Sequence, residues 1–382
     1  GTTVAVGQAV GAGDRKKASL SISNTVTLFL GVSVALTAVL LLCVRPIVGI
    51  ISTPEEAVEG TVRYLTICFI GIPFITSYNI INSIFRGLGD SKSPMCFIAT
   101  ACAANIALDY LFMGVLHLGP AGAALGTTLS QAISVVVSLT VILKRRSIVL
   151  KKSDFKPCRA VMGKILGIGI PIAFQDGLIQ VAFIIITIIA NQRGLNDAAA
   201  VGIVEKVISF LFLVPSSMLS TVSALGAQNI GAGKPERAIQ TLRYAVMLAA
   251  GFGVLASIAI QFTAEGIVSL FTDPSTADGA AVVRFGGQYL RGYIFDCIFA
   301  GIHFSFSGFF CACRKSGLSF LHNILAIVLM RVPGVYVTSK LFPATLLPME
   351  LATAAGSLLS VVICLIAFGV IRRKSTLVLV EE

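Results

Sequence analysis

Ten long apolar stretches constrain this chain more than any other feature of its 382 residues. Each is long enough to cross the hydrocarbon core of a bilayer as a helix, which takes about 20 residues. Only 12% of the residues are charged, whereas a soluble domain carries roughly 25%. The chain is therefore predicted to be an all-α polytopic membrane protein. The predicted spans are residues 20–44, 64–85, 93–116, 121–143, 161–190, 199–224, 242–270, 282–311, 317–341 and 350–371.

Basic residues occupy every second connection between these spans. Lys16 and Lys17 precede the first span, and Lys144 follows the fourth, whereas Glu55 and Asp273 lie in connections of the other set. The positive-inside rule then places the basic connections and the C-terminus in the cytoplasm. The expected location is the plasma membrane (bacterial inner membrane), with the lipid bilayer as a partner. The net charge of +11 lies in short loops without interleaved aromatic residues, so no nucleic-acid partner is expected.

A six-residue signature, from Gln8 to Gly13, recurs 220 positions later, from Gln228 to Gly233. Each copy ends an apolar run and precedes charged residues, which is typical of a helix end followed by a tight turn. A repeat at this distance predicts two copies of one unit. Both copies end on the predicted cytoplasmic side, so the halves are parallel repeats, an arrangement suited to alternating access. Nucleotide binding is excluded, because Pro235 stands where a Walker motif needs Ser or Thr.

The longest polar stretch divides the chain. We expect a first lobe at residues 1–143, a cytoplasmic connection at residues 144–160 and a second lobe at residues 161–382. The second lobe has two spans up to its signature, whereas the first shows only residues 1–10 before its own. We therefore expect two six-helix lobes, with the first helix and most of the second missing before Gly1.

Several motifs, in this order and spacing, resemble the multidrug and toxic compound extrusion (MATE) family. They are the two signatures, the loop from Phe85 to Met95, Asn105 with Asp109, Gly122-Ala123-Ala124 and Gly169-Ile170-Pro171. The resemblance implies two lobes in a V shape. It also implies a secondary antiporter that exports organic, often cationic, compounds and drugs in exchange for Na⁺ or H⁺, and we expect this protein to be a monomer.

Asp109 is the leading candidate for coupling transport to a cation. It lies in the middle of a predicted span, where an ionisable group is costly, and Asn105 lies one helical turn earlier on the same face. A carboxylate beside an amide oxygen can hold Na⁺ or take up a proton. A structural polar contact between helices is the alternative. The resemblance implies that three further groups belong to this cation site: an Asn on the preceding helix, a hydroxyl on the following helix and an aspartate in the missing first helix. The matching positions in this chain are Asn79 or Asn82, and Thr127 or Thr128.

The second lobe offers weaker candidates for a substrate or coupling site. They are Asp176, Gln175, Gln180 and Asp296. Some members of the family have a carboxylate in this lobe at the position of Ile179. This chain lacks that carboxylate, which favours the first lobe as the coupling site. Asp296 could instead pair with Arg291 or Arg331 in a structural charge network. Glu205 and Lys206 are interpreted as polar groups at a helix interface.

Other classes of function fit the sequence less well. A lipid-linked oligosaccharide flippase, or another lipid flippase of the same broad superfamily, is the nearest alternative, but it would favour a cationic cavity. An intramembrane enzyme would need a nucleophile with a base or a metal-binding motif. The nine cysteines lie mostly inside spans and lack a convincing zinc spacing, so we expect no enzyme activity, metal or cofactor apart from the coupling ion.

Overall fold

The structure is a computed structural model that describes residues 1–50, 54–145 and 151–373. Residues 146–150 of the predicted connection and 374–382 of the predicted tail lie outside the described residues. The described ranges contain helices and no strand. The α-helices, in chain order, are α1 Thr2–Gly11, α2 Arg15–Ile50, α3 Glu55–Leu88, α4 Lys92–Asp109, α5 Gly119–Arg145, α6 Arg159–Asn191, α7 Leu195–Leu211, α8 Leu213–Gly231, α9 Pro235–Val268, α10 Ala277–Ala312, α11 Ser316–Ala326, α12 Val332–Leu341 and α13 Leu347–Arg373.

The predicted spans are confirmed, because ten helical stretches are long and apolar enough to cross a membrane. Three of them are composite. Helix α4 continues through a π-helical segment, Tyr110–Val115. Helices α7 and α8 form one stretch that is interrupted at Phe212. Helix α11 continues through a second π-helical segment, Ile327–Arg331, into α12.

The helices form two compact units, and the second begins at Leu166. In the first unit, α5 packs against both α3 and α4. In the second, α10 is central and packs against α7, α8, α9 and α13. Glycines let these helices approach closely, as in many membrane bundles. A Cβ on Gly308 of α10, for example, would lie 2.6 Å from the Leu219 carbonyl oxygen of α8.

The two signature copies adopt the same turn, which confirms the prediction of a helix end at each. Gly13 and Gly233 have φ angles of 70° and 68°. This left-handed conformation favours glycine. The next backbone amide closes the turn in each copy, with N–O distances of 3.0 Å from Asp14 to Ala9 and 2.9 Å from Lys234 to Asn229. The duplicated sequence therefore encodes a duplicated local structure.

Part of the predicted connection between the lobes is ordered against α2. It contains a short 3₁₀ helix, Lys152–Phe155. The Ser19 hydroxyl donates to Asp154 Oδ2 at 2.7 Å, and the Cys158 amide donates to Asn24 Oδ1 at 2.7 Å. The hydrogen bond from Ser19, with another from the Lys151 amide, lowers the pKa of Asp154. This segment is therefore attached to the first unit by side-chain contacts.

Candidate functional site

Asp109 is positioned by a local change of helix type. It is the last residue of α4 and is followed directly by the π-helical segment Tyr110–Val115. Its side chain packs against Gly126 of α5, where an added Cβ would collide with Asp109 Oδ1. This oxygen is buried and has no hydrogen-bond partner among the described residues. The glycine therefore makes room for a carboxylate whose inner oxygen is unsatisfied.

Asn105 lies one turn before Asp109 and is also incompletely bonded. Its Nδ2 atom is buried without a hydrogen-bond partner in the described ranges. Of the two candidate hydroxyl residues on α5, Thr128 is buried and lies against Gly71 of α3, whereas Thr127 is exposed. Thr127 directly follows Gly126 in the chain and is the exposed one of the two candidate hydroxyl residues.

The structure does not bring the α3 candidates to the level of Asp109. Asn79 is exposed, and its Nδ2 donates to the Ile75 carbonyl oxygen of the same helix at 2.9 Å. Asn82 is buried, and its Oδ1 has no described hydrogen-bond partner. Helices α3 and α4 are joined by a tight turn, and a helix rises 1.5 Å per residue, so Asn82 lies about 16 Å nearer that turn than Asp109. Both asparagines remain candidates by prediction only.

Asp296 of the second unit is paired within the protein. It is almost fully buried, and its Oδ2 lies 3.5 Å from Arg331 Nη2. Arg331 also donates to the Tyr293 hydroxyl at 3.3 Å. Arg291, the other predicted partner, instead forms an ion pair with Glu265 at 2.9 Å. Asp296 thus belongs to a buried charge network that joins α10 to the π-helical segment Ile327–Arg331.

The three candidates on α6 lie in different environments. Gln175 is fully buried, and its Oε1 accepts a hydrogen bond from the Ser319 hydroxyl of α11 at 2.7 Å. Asp176 and Gln180 are exposed. Gln175 therefore links two helices, whereas Asp176 and Gln180 lie at the surface of the second unit.

Comparisons with known proteins identify the fold and the family. The sequence model of the MatE family matches residues 1–111 and 171–337. The chain belongs to the MatE family. An outward-facing multidrug resistance MATE transporter of the MOP superfamily superimposes with a TM-score of 0.91 at 21% identity, covering 98% of this chain and 83% of that one. The predicted fold class and family resemblance are thereby confirmed.

Two curated relatives extend the MatE comparison. The probable multidrug resistance protein YpnP of Bacillus subtilis (strain 168) is 29% identical over 332 residues, which cover 87% of this chain and 73% of YpnP. A protein named FAD transporter, from Shewanella oneidensis, is 25% identical over 345 residues, which cover 87% of this chain and 74% of that protein. The chain is thus a multi-pass membrane protein of a transporter family.

Gln131 is a polar residue of the MatE site region that the sequence did not single out. Its Oε1 is buried and has no hydrogen-bond partner in the described part of the chain. Helices α4 and α5 contact each other at Asp109 with Gly126, and at Phe97, whose carbonyl oxygen accepts from the Ser134 hydroxyl at 2.9 Å. Interpolation between these contacts places Gln131 at about the level of residues 101–102, one helical turn beyond Asn105 and about 11 Å along the helix from Asp109. Asp109, Asn105 and Gln131 thus each hold a buried polar atom without a described partner, but only Asp109 and Asn105 lie within one helical turn of each other.

The second unit of this MatE protein contains a cavity of about 650 Å³. Its wall includes Gln180 and Phe183 of α6, Glu205 and Lys206 of α7, and Tyr293 of α10. The Glu205 carboxylate accepts a hydrogen bond from the Thr187 hydroxyl of α6 at 3.0 Å. Glu205 therefore lies at a helix interface and also lines a cavity that is large enough for a drug-sized molecule.

Proposed function

We propose that the protein exports organic compounds, lipophilic cations above all, in exchange for Na⁺ or H⁺ by alternating access. The observation that carries this proposal is the unsatisfied Asp109 oxygen in the first unit. Among the described residues, no lysine or arginine forms an ion pair with Asp109. A carboxylate within a membrane span is costly without a countercharge. An ion from outside the chain would supply that charge.

Either coupling ion suits the groups around Asp109. Na⁺ is a hard cation and prefers oxygen ligands, as Ca²⁺ and Mg²⁺ do. The side-chain oxygens of Asp109 and Asn105 are of this type, and Thr127, which follows Gly126 in the chain, is the candidate hydroxyl. A proton would neutralise the carboxylate directly and remove the cost of its burial. We propose Asp109 as the coupling residue, with Asn105 one helical turn away as its neighbour and Thr127 as the candidate hydroxyl on α5.

The cavity of the second unit supports the proposed substrate class. Aromatic side chains in its wall include Phe183, Phe212, Tyr293 and Phe304, and the faces of such rings attract organic cations. Glu205 supplies a negative charge, and Gln180 supplies an amide. Lys206 is the one basic residue among the residues lining this cavity, so it balances Glu205 and gives no positive excess. This charge pattern does not favour the phosphate headgroup of a lipid-linked oligosaccharide.

Export from proteoliposomes tests this function. The purified protein is reconstituted with a fluorescent lipophilic cation, and Na⁺ and pH gradients are imposed separately. We expect one gradient to drive export. Asp109→Asn should lower that export by about tenfold or more, because a neutral amide has no negative charge to balance the coupling ion. Glu56→Gln, which removes an exposed carboxylate near the end of a span, is the matched control. Export by Asp109→Asn at the wild-type rate would exclude Asp109 as the coupling residue.

A further inference from the structure

A second set of ionisable groups lies deep in the second unit. Asp296 of α10, Arg331 at the end of the π-helical segment and Glu350 of α13 form a buried cluster, defined here as the Arg331 cluster. The exposed fractions of Asp296 and Glu350 are 1% and 0%. The cluster therefore contains two buried carboxyl groups and one guanidinium.

The guanidinium is committed mainly to one side of this cluster. Arg331 forms the ion pair with Asp296, donates to the Tyr293 hydroxyl and stacks over the Phe183 ring at 5.2 Å. Gly356 of α13 lies close to it, and an added Cβ there would be 3.1 Å from Arg331 Cβ. Close packing thus holds the arginine beside Asp296.

Glu350 lacks a comparable partner. Neither of its carboxyl oxygens accepts a hydrogen bond from any residue that the structure describes. The Tyr289 hydroxyl and Arg331 are the nearby groups that favour the ionised form of Glu350, whereas Asp296 and Glu205 add negative charge in the vicinity. Helix α13 is pressed against α10 at this point, because a Cβ on Gly292 would lie 3.0 Å from Glu350 Cβ. Glu350 is thus held in the interior with both oxygens unsatisfied.

The charge balance decides the state of Glu350. Arg331 and Asp296 neutralise each other, so an ionised Glu350 would be a net buried negative charge in a membrane span, with Glu205 repelling it. Burial of an unpaired charge costs more than taking up a proton from water at neutral pH. Two carboxyl groups that share one cation likewise favour a single bound proton.

We propose that Glu350 is a proton-binding site of the second unit, which holds one proton at neutral pH while Arg331 is paired with Asp296. When Arg331 turns towards Glu350, the Glu350 O–H bond breaks, the proton passes to Asp296 or to water, and the new carboxylate pairs with the guanidinium. Tyr293 connects this exchange to the cavity, because its hydroxyl accepts from Arg331 and its side chain lines the cavity wall. A ligand that bonds to Tyr293 would loosen Arg331 and shift the proton. Only this last link rests on the proposed function.

Infrared spectroscopy of the purified protein tests the site without any transport. We expect wild-type protein at neutral pH to show the carbonyl stretch of a buried protonated carboxylic acid, and Glu350→Gln to lack it. Glu56→Gln should retain the band. Asp296→Asn should also lose it, because Arg331 is then free to pair with Glu350. An unchanged band in Glu350→Gln would overturn the proton site, and a retained band in Asp296→Asn would overturn the sharing of Arg331.

Thermal unfolding at several pH values provides an independent measurement. A folded state that holds one proton more than the unfolded chain loses stability as pH rises, by up to about tenfold in the unfolding equilibrium per pH unit. We expect the wild-type midpoint to fall from pH 6 to pH 8 more steeply than that of Glu350→Gln. Parallel midpoints would overturn the proposal. A failed export assay would leave both results untouched, so the two proposals fail separately.

Discussion

The two units carry charged residues of opposite sign at the edge of a π-helical segment. In each unit this segment interrupts the third helical stretch after the signature turn. Asp109 directly precedes the first segment, and Arg331 ends the second. Arg331 is neutralised by Asp296 inside its unit, whereas no described residue forms an ion pair with Asp109. The duplication kept the helix irregularity and changed the charge chemistry that it supports.

This difference separates two uses of buried charge. A charge that is paired inside the protein contributes to stability only as long as its partner remains. A charge without an internal partner is neutralised by an ion from solution. Removing such a charge should therefore lower activity more than it lowers the free energy of unfolding. Mutations at equivalent features of the two units should therefore have different consequences.

Removal of Arg331 should have the largest effect on stability. Arg331→Gln leaves Asp296 buried without its cation, and we expect the free energy of unfolding to fall by about 3 kcal/mol. Asp109→Asn should leave the thermal midpoint nearly unchanged, since it breaks no described ion pair. Differential scanning fluorimetry in detergent measures both. Arg291→Gln, which breaks a more exposed ion pair, is the control, and we expect less than about 1 kcal/mol from it.

Equal midpoints for Arg331→Gln and Asp109→Asn would remove the contrast between an internally paired and an externally neutralised charge. A large loss in Asp109→Asn alone would indicate that Asp109 is a structural polar contact between helices.

A methyl group added opposite each charge should distinguish the units more finely. Gly126→Ala would push the Asp109 carboxylate away from α5, and we expect export to fall by about tenfold because ion sites tolerate only sub-ångström displacement. Gly356→Ala would press on Arg331, and we expect a loss of about 1–2 kcal/mol in stability from overpacking. Export assays and thermal midpoints, measured on both variants, give the comparison.

Gly251→Ala of α9 is a suitable control, because a Cβ there meets no described atom within 4 Å. Such a change in a helix is neutral or slightly stabilising. The contrast fails if Gly126→Ala lowers the midpoint as much as Gly356→Ala does and leaves export intact.

Arginine side chains near helix ends also make different contacts in the two units. In the second unit, Arg193 forms an ion pair with Asp197 at 2.7 Å and donates to carbonyl oxygens of residues 339–345, among them Ser339 at 2.8 Å and Pro343 at 2.9 Å. Lysine cannot reproduce this planar set of donors. We expect Arg193→Lys to cost about 2 kcal/mol of stability and to speed hydrogen exchange in residues 339–345.

Arg63→Lys serves as the control for Arg193→Lys, because Arg63 forms only an exposed pair with Glu59 at 4.0 Å. We expect less than about 0.5 kcal/mol from it. Unchanged hydrogen exchange in Arg193→Lys would show that the hydrogen bonds from Arg193 to residues 339–345 do not stabilise that segment, and that only the ion pair with Asp197 matters.

The sequence was sufficient for the spans and for the duplication. Both rest on local properties, namely the length of apolar stretches and the turn residues of the signature. The partner of Asp296 was left open between Arg291 and Arg331, because the choice depends on which helix packs against α10. Glu350 escaped notice since it lies at the first position of a predicted span, where an acidic residue is expected to face water. Its burial follows from Gly292, whose missing Cβ admits the side chain.

The site around Asp109 was predicted in part. Asn105 follows from helical periodicity, which places it one turn from Asp109. The partners on other helices require the vertical register between helices, which a residue pattern does not contain. The tight turn between α3 and α4 determines that register and sets Asn82 well away from Asp109. Gln131 was missed because an amide on a helix rich in Ser and Thr gives no distinctive signal.

Acid should act on the contact that Asp154 makes in the first unit, with the smallest expected effect. The pKa of Asp154 is lowered, first by the Ser19 hydroxyl and then by the Lys151 amide. A lowered pKa contributes stability above the unfolded value of about 3.9, and this contribution is lost as pH falls through the folded value. We therefore expect residues 151–158 to exchange their amide hydrogens faster, relative to the intrinsic rate, below about pH 4. Asp154→Asn should remove this pH dependence and should not change hydrogen exchange in α10 or in the Arg331 cluster. An acid-induced change of the same size in the variant would assign the effect to another carboxylate.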